Sequence, residues 1–311
     1  MDVSVVVPVH NSAGILPELC RQIREAIEPL GIEYELILVD DGSRDRSWDE
    51  MVRLRAESDI RIRPVQLTRN YGQHNALLCG IRTARYPLVV TLDDDLQNSP
   101  SDIPRLIAKI EEGYDVVYGT GDQKQHGVLR GLAARITKVA LQSAMGAQIA
   151  REVSAFRAFR VILRDAFDGY RGPFVSIDVL LTWGTTRFAS IPVRMAPRHS
   201  GRSGYTFRRL VAHAVNMMTG FSVLPLQLAS LMGFVFMVFG LLVLVYVVGR
   251  YLVQGTSVQG FPFLASIIAI FSGVQLFALG VIGEYLARMH YRVMDRPPYS
   301  IRGSLSDPPL Q

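Results

Sequence analysis

Cysteine is scarce: Cys20 and Cys79 are the only two among 311 residues. Each lies in a helix-like segment without metal-ligand spacing, which argues against a disulfide framework or a thiolate metal site. Both read as small buried apolar residues. Lysine is also scarce. Only Lys109, Lys124 and Lys138 occur among 33 basic residues, which outnumber 28 acidic ones for a formal net charge of +5. A surplus made of arginine suits phosphate and anionic lipid, because the planar guanidinium grips oxyanions bidentately. No Gly-x-x-x-x-Gly-Lys loop is present and no Gly-x-Gly-x-x-Gly follows the first strand, so ATPase and dinucleotide oxidoreductase readings lose support. The start, Met1–Pro8, lacks a basic n-region and reads as a strand, not a signal peptide. Charge is missing altogether from Leu228–Gly249 and Phe261–Gly283.

What is present begins with short β-branched runs. Val3–Pro8, Glu35–Val39, Val65–Leu67, Leu88–Leu92 and Asp115–Tyr118 read as strands buried on both faces. Between them Gly14–Leu30, Asp45–Glu57, Gln73–Ala84 and Asp102–Glu112 have helical patterns, with Ser43 or Asp45 available to cap the second. This alternation predicts an α/β domain with a mostly parallel sheet and right-handed crossovers. Ligands of such sheets sit beyond the carboxyl ends of the strands, where Asn11, Asp40, Asp41 and Asp93–Asp95 fall. Thr120–Gly131 reads as a Gly-rich mobile loop and Leu132–Met145 as a helix. Phe174–Thr182 and Phe188–Val193 finish the domain.

Gly201–Gly220 is amphipathic, with Arg208, Arg209 and His213 opposing Phe207, Leu210 and Val211, and suits a helix lying on a membrane surface. The two uncharged stretches each exceed the roughly 20 residues that cross a bilayer core. The short link Gln254–Gly260 makes them a hairpin. Arg198, Arg202, Arg208 and Arg209 precede it and Arg288, Arg292, Arg296 and Arg302 follow it, so both termini are expected on the cytoplasmic side. Gly273, Gln275 and Gly280 suit helix packing, including packing between subunits of a homo-oligomer. The expected division is 1–200 catalytic, 201–225 juxtamembrane, 226–287 transmembrane hairpin and 288–311 cytoplasmic tail.

The strongest local motif is Asp93-Asp94-Asp95-Leu96-Gln97, directly after a buried strand. Three adjacent carboxylates repel one another unless a cation neutralises them. Their hard oxygens favour Mg²⁺ or Mn²⁺, which would also bridge a pyrophosphate. Asp40-Asp41 can accept hydrogen bonds from a base or ribose, or merely cap a turn. Pro8-Val9-His10-Asn11 can present polar groups to the same nucleotide, or simply turn the chain from strand to helix. Asp178, an acid inside an apolar run, is a candidate catalytic base or the partner of an arginine, the second being preferred.

Val5-Val6-Val7-Pro8-Val9-His10-Asn11, Val39-Asp40-Asp41-Gly42-Ser43 and Asp93-Asp94-Asp95-Leu96-Gln97, in this order and spacing, resemble family 2 glycosyltransferases of the GT-A fold. Arg69-Asn70-Tyr71-Gly72, Arg198–Tyr205 and Gly283–Arg288 are similar to the polyisoprenyl-phosphate branch, which includes dolichol-phosphate mannose synthase and bacterial undecaprenyl-phosphate enzymes. The resemblance implies metal-dependent, inverting transfer of a hexose such as glucose from a UDP-sugar to undecaprenyl phosphate at a bacterial inner membrane. The alternatives are GDP-mannose as donor and a non-catalytic membrane scaffold; no nucleic-acid partner is implied. Processive polysaccharide synthases usually need more membrane helices and a Gln-x-x-Arg-Trp motif; Trp48 and Trp183 lie in no such context.

By the resemblance, Pro8, His10, Asn11, Asp40, Asp41, Asp93 and Asp94 would hold the nucleotide. Asp93, Asp95 and Gln97 would hold the metal, with Asp95 catalytic. Arg130, Arg135, Arg198 and Ser203 would meet the lipid phosphate. Many relatives carry Gly-Asp-Phe-Arg where this chain has Ser154-Ala155-Phe156-Arg157, so one acid is missing. A phosphate monoester has a second pKa of about 6 and needs little help to ionise.

Overall fold

The computed structural model describes residues 1–121, 153–172, 175–194, 196, 223–254 and 260–305. The expected loop 120–131 beyond Gly121, the helix 132–145, the amphipathic segment 201–220 and the residues Arg130, Arg135, Arg198 and Ser203 lie outside them.

Strands β1 (Val3–Val9), β2 (Tyr34–Asp40), β3 (Arg61–Leu67) and β4 (Leu88–Thr91) alternate with helices α1 (Leu16–Ile27), α2 (Ser47–Glu57) and α3 (Gln73–Thr83). Then follow α4 (Ile103–Glu111), β5 (Val116–Thr120), β6 (Arg157–Arg160), α5 (Ile177–Leu181) and β7 (Phe188–Pro192). Two long helices, α6 (Leu224–Gln254) and α7 (Phe261–Val293), precede a last strand, β8 (Ile301–Ser304). The described strands form one sheet in the order β7-β5-β6-β4-β1-β2-β3-β8. β4, β1, β2 and β3 run parallel, as do β5 and β7, whereas β6 and β8 are antiparallel to their neighbours.

Every residue of β1 is buried, because the sheet is covered on both faces. Val3, Val5, Val7 and Val9 point to one side and pack with Leu19 and Ile23 of α1 and Leu106 and Ile110 of α4. Val6 points to the other, with Leu77, Leu78 and Ile81 of α3 and Leu180 of α5. Gly80 lets α3 approach closely: a Cβ there would lie 2.3 Å from Val6 Cγ1. Cys20 and Cys79 are free and buried, and burial pushes both thiols up to about 12. β3 is longer than the expected Val65–Leu67 because Arg61 and Arg63 disguise its first half. Arg63 Nη1 reaches Glu35 Oε2 at 3.0 Å, and Glu35 also accepts from Ser4 Oγ and the Arg85 N–H. A buried carboxylate in β2 thus draws a charged strand to its side.

α6 and α7 pack as a hairpin, with Phe236 and Phe271 edge to face at 5.9 Å and Gly240 giving room to the Phe271 ring. Pro225–Arg250 and Ile270–Tyr291 are long and apolar enough to cross a membrane, and their side chains are largely exposed, Leu242 and Leu276 by 63% and 68%. The tail after α7, set apart as a separate region by its composition, returns to the catalytic sheet. β8 pairs with β3, and the Thr68 N–H donates to Ser300 O at 2.9 Å. Arg171 and Asp295 form a 2.6 Å ion pair across the same junction.

Candidate active site

The chain leaves β1 toward β2 on one side and returns to β4 on the other, so a crevice opens where the strand order reverses, beyond the carboxyl ends of β1 and β4. A pocket of about 250 Å³ occupies it, lined by Pro8, His10, Asp41, Asn70, Gln73 and Asp93–Asp95 among others. Pro8, His10, Asp41, Asp93, Asp94 and Asp95, all singled out from the sequence, therefore converge there, whereas Asn11, Asp40, Gln97 and Asp178 do not line it.

Asp93, Asp94 and Asp95 do different work despite being adjacent. Asp94 Oδ2 accepts the His10 N–H at 3.0 Å and the Ser12 hydroxyl at 2.5 Å, tying the β4 turn to the β1 turn. Burial raises its pKa, against the pull of these donors. Asp95 accepts the backbone N–H of Gln97 at 3.1 Å and its side-chain amide at 2.9 Å, around Leu96 in the left-handed region (φ 57°). Gln97 thus steadies Asp95 and does not itself line the pocket. Asp93 is held by the Gln73 amide. No group of three or more His, Cys, Asp or Glu side chains poised to hold a metal exists among the described residues. Asp93 and Asp95 nonetheless both face the pocket, and hard divalent ions at phosphate-transfer sites commonly take only one or two carboxylates plus substrate phosphates. The donor set fits such an ion.

The pair Asp40-Asp41 is also split. Asp41 lines the pocket, and its carboxylate accepts the N–H groups of Tyr71 at 2.6 Å and Gly72 at 2.8 Å. Burial raises its pKa and these two donors oppose the rise. Asp40 turns inward, fully buried, accepting from the Ser43 N–H at 2.9 Å and Gln66 Nε2 at 3.3 Å. It shapes the turn and does not line the pocket. Asn11 likewise acts as a fastener: at φ 55°, a conformation Asn tolerates, it donates its N–H to Ser43 Oγ and accepts the Arg44 N–H. His10 Nδ1 donates to Asp41 O at 3.1 Å, closing the wall between the two turns.

Of the two roles weighed for Asp178, its surroundings match the preferred one, the partner of an arginine. It is buried, paired with Arg157 Nη1, and accepts from the Tyr118 hydroxyl at 3.2 Å. Arg157 continues to Thr91 Oγ1 at 3.1 Å. An acid locked to an interior guanidinium is a poor base, and Asp178 does not line the pocket. Conversely, Gln73 and Ser12 escaped the sequence reading. Their only signal was position, beside the Arg69–Gly72 motif and the β1 turn.

The turn beneath the pocket gives a direct test. Gly42 sits at φ 66°, and a Cβ there would lie 2.5 Å from Arg69 C and Asn70 N, both backbone atoms. Gly42→Ala is expected to cost at least about 2 kcal/mol, from left-handed strain plus displacement of the 69–72 segment. Gly14→Ala, at a site with nothing within 4 Å, is the control and should leave the melting temperature nearly unchanged. Equal melting temperatures for the two variants would refute the clamp.

A sequence profile described as glycosyl transferase family 2 matches residues 4–169. The undecaprenyl-phosphate 4-deoxy-4-formamido-L-arabinose transferase of Salmonella paratyphi B is 36% identical over 302 residues, 96% of this chain and 92% of the relative. The protein of the same description from Salmonella enteritidis PT4 matches equally. Among solved structures, glucosyl-3-phosphoglycerate synthase from Mycobacterium tuberculosis superposes with a TM-score of 0.51 at 19% identity, covering 70% of this chain and 78% of that one. Its complex with Mn²⁺, UDP and phosphoglyceric acid gives 0.51 at 18% identity, covering 70% and 76%. These structural likenesses bear on fold, and the profile and the curated relatives on descent: the chain belongs to glycosyl transferase family 2.

Proposed function

We propose that this glycosyltransferase moves a sugar from a nucleoside-diphosphate sugar onto undecaprenyl phosphate at the cytoplasmic face of a bacterial inner membrane. The observation that carries this reading is the joint placement, on one chain, of a carboxylate-lined crevice at the β1/β4 reversal and an exposed apolar hairpin. The names of the Salmonella relatives supply the acceptor. Pro8, His10 and Asp41 would border the nucleoside. Asp93 and Asp95 would hold a Mg²⁺ or Mn²⁺, an ion that, when bound, neutralises charge on the leaving diphosphate. Gln97 and Gln73 keep those two carboxylates in place, and Asp94 keeps the β1 turn against them.

With Asp178 committed to Arg157, no general base is needed from the described residues. The acceptor phosphate is already anionic near neutral pH, so orientation is the main requirement. Direct attack by a phosphate oxygen inverts the anomeric carbon. UDP-glucose is the preferred donor. The second reading, a 4-deoxy-4-formamido-arabinose donor, is favoured by the relatives' names. The test incubates the purified full chain with undecaprenyl phosphate, Mn²⁺ and UDP-glucose, GDP-mannose or a UDP-4-formamido-arabinose donor, and weighs the lipid product. A hexosyl product from UDP-glucose supports the first reading and a formamido-pentosyl product the second. No lipid product from any donor sinks the acceptor assignment.

By the family resemblance, Arg130 and Arg135 would meet the lipid phosphate, and Arg198 and Ser203 would close the site. Arg135→Ala is expected to lower kcat/KM for the lipid phosphate at least roughly tenfold, about 1.4 kcal/mol, with nucleotide-sugar affinity little changed. Unchanged lipid kinetics, or an equal loss of donor binding, would remove Arg135 from the acceptor site.

A further inference from the structure

A second and larger cavity, about 470 Å³, lies behind the donor pocket, between the 69–75 segment and the chain that leaves α7. Arg69, Tyr71, Asn75, Tyr291, Arg296 and Pro297 line it. Two guanidiniums thus face one space whose described lining residues include no carboxylate. Arg69 lies over the Tyr71 ring at 4.6 Å, and neither Arg69 nor Arg296 has an acidic partner among the described residues. Some arginines of the domain do, Arg21, Arg53 and Arg63 among them. The acid next to Arg296, Asp295, is already taken by Arg171 at 2.6 Å. A cavity whose described lining sets two guanidiniums against no carboxylate suits an oxyanion.

Its location says which oxyanion. Tyr291 ends the candidate span Ile270–Tyr291, past Gly283 where the uncharged stretch gives way to Glu284 and Arg288, and aromatic residues beyond such a boundary sit at headgroup level. Basic pockets beside a helix at that level receive lipid headgroups. We propose that this cavity binds the phosphate of a bilayer lipid headgroup, held between Arg69 and Arg296, as a site separate from the donor crevice. The proposal rests on the reading that α7 crosses the membrane, and not on which sugar is transferred. The site adjoins the chemistry: Asn70 borders both cavities, and the Tyr71 and Gly72 N–H groups hold Asp41. Thr68 and Ser300 hold the Tyr71 phenol down to about 8, with a smaller contribution from Arg69, so an anion beside it should raise that value again.

The test places the full chain in nanodiscs of phosphatidylcholine containing about one fifth phosphatidylglycerol and counts retained anionic lipids by native mass spectrometry. The wild type is expected to retain one more phosphatidylglycerol than Arg69→Gln/Arg296→Gln. Arg21→Gln/Arg53→Gln, with the same loss of charge on exposed helix faces, should match the wild type. Inorganic phosphate in lipid-free micelles forms the other arm. Strong retention there, lost in the cavity variant, would assign the site to free phosphate and overturn the lipid source. Equal retention by wild type and cavity variant, or equal loss in the control, would overturn the site. A chain that stays outside the nanodisc would overturn the spanning reading and this proposal with it, while leaving soluble nucleotide binding to be measured separately.

Discussion

Asp95→Asn is expected to lower sugar transfer at least about a thousandfold, some 4 kcal/mol of transition-state stabilisation, while the fold survives. The substitution keeps the side chain's shape. Its carbonyl oxygen can still accept the Gln97 N–H that now binds Asp95 Oδ1 at 3.1 Å, and a flip of the Gln97 amide restores the second contact. What is lost is one negative charge on the pocket wall, beside Asp93. If the two carboxylates share a divalent ion, halving their charge weakens the ion and the diphosphate it would bridge together. The measurements are kcat/KM against Mn²⁺ concentration and the melting temperature of the apo chain. A variant that stays active in EDTA would end the metal assignment. A variant that loses activity only by melting earlier would return Asp95 to a structural role.

Arg157→Met should be the most damaging single change in the interior. Arg157 and Asp178 are both almost fully buried and joined to each other, with Tyr118 and Thr91 completing the network. Removing the guanidinium leaves a carboxylate in an apolar interior, which typically costs about 3–5 kcal/mol. Replacing both ions, as Arg157→Met/Asp178→Leu, should recover much of that loss, because a well-packed apolar pair needs no compensation. Thermal melts of the three proteins decide the matter. The same series separates the two roles considered for Asp178. A structural ion predicts that Asp178→Asn lowers stability and that the double variant regains activity along with stability. A catalytic base predicts that activity stays lost in the rescued double variant.

The extent to which the site could be read in advance differs residue by residue. The strands β1, β2 and β4 were legible because burial on both faces demands unbroken apolar runs, and runs such as Val5-Val6-Val7 have few other uses. The carboxylates after β2 and β4 were legible as a group, because parallel α/β topology delivers strand ends to one edge. Their individual duties were not. Adjacent acids look alike in a sequence, and only the fold shows Asp40 turned to Ser43 and Asp41 to the 71–72 backbone, or Asp94 turned to His10 and Asp95 to Gln97.

By itself, the sequence determined the local and periodic features of this protein: the apolar strands, the helices between them, the two uncharged stretches of α6 and α7, and the acidic turns. These depend on neighbours a few residues apart, so composition and spacing carry them. Tertiary structure alone decided what depends on distant partners. β6 slots antiparallel between β4 and β5, and β8 returns from beyond the hairpin to edge β3, yet each is four residues long and bears arginine. Arg157 meets Asp178 from another element, and Arg296 meets Arg69 across a cavity more than two hundred residues of chain apart. Short, charged segments carry almost no periodic signal. Their places are set by the hydrogen bonds and counter-charges that a buried edge or a buried ion requires, and those partners are chosen by the fold.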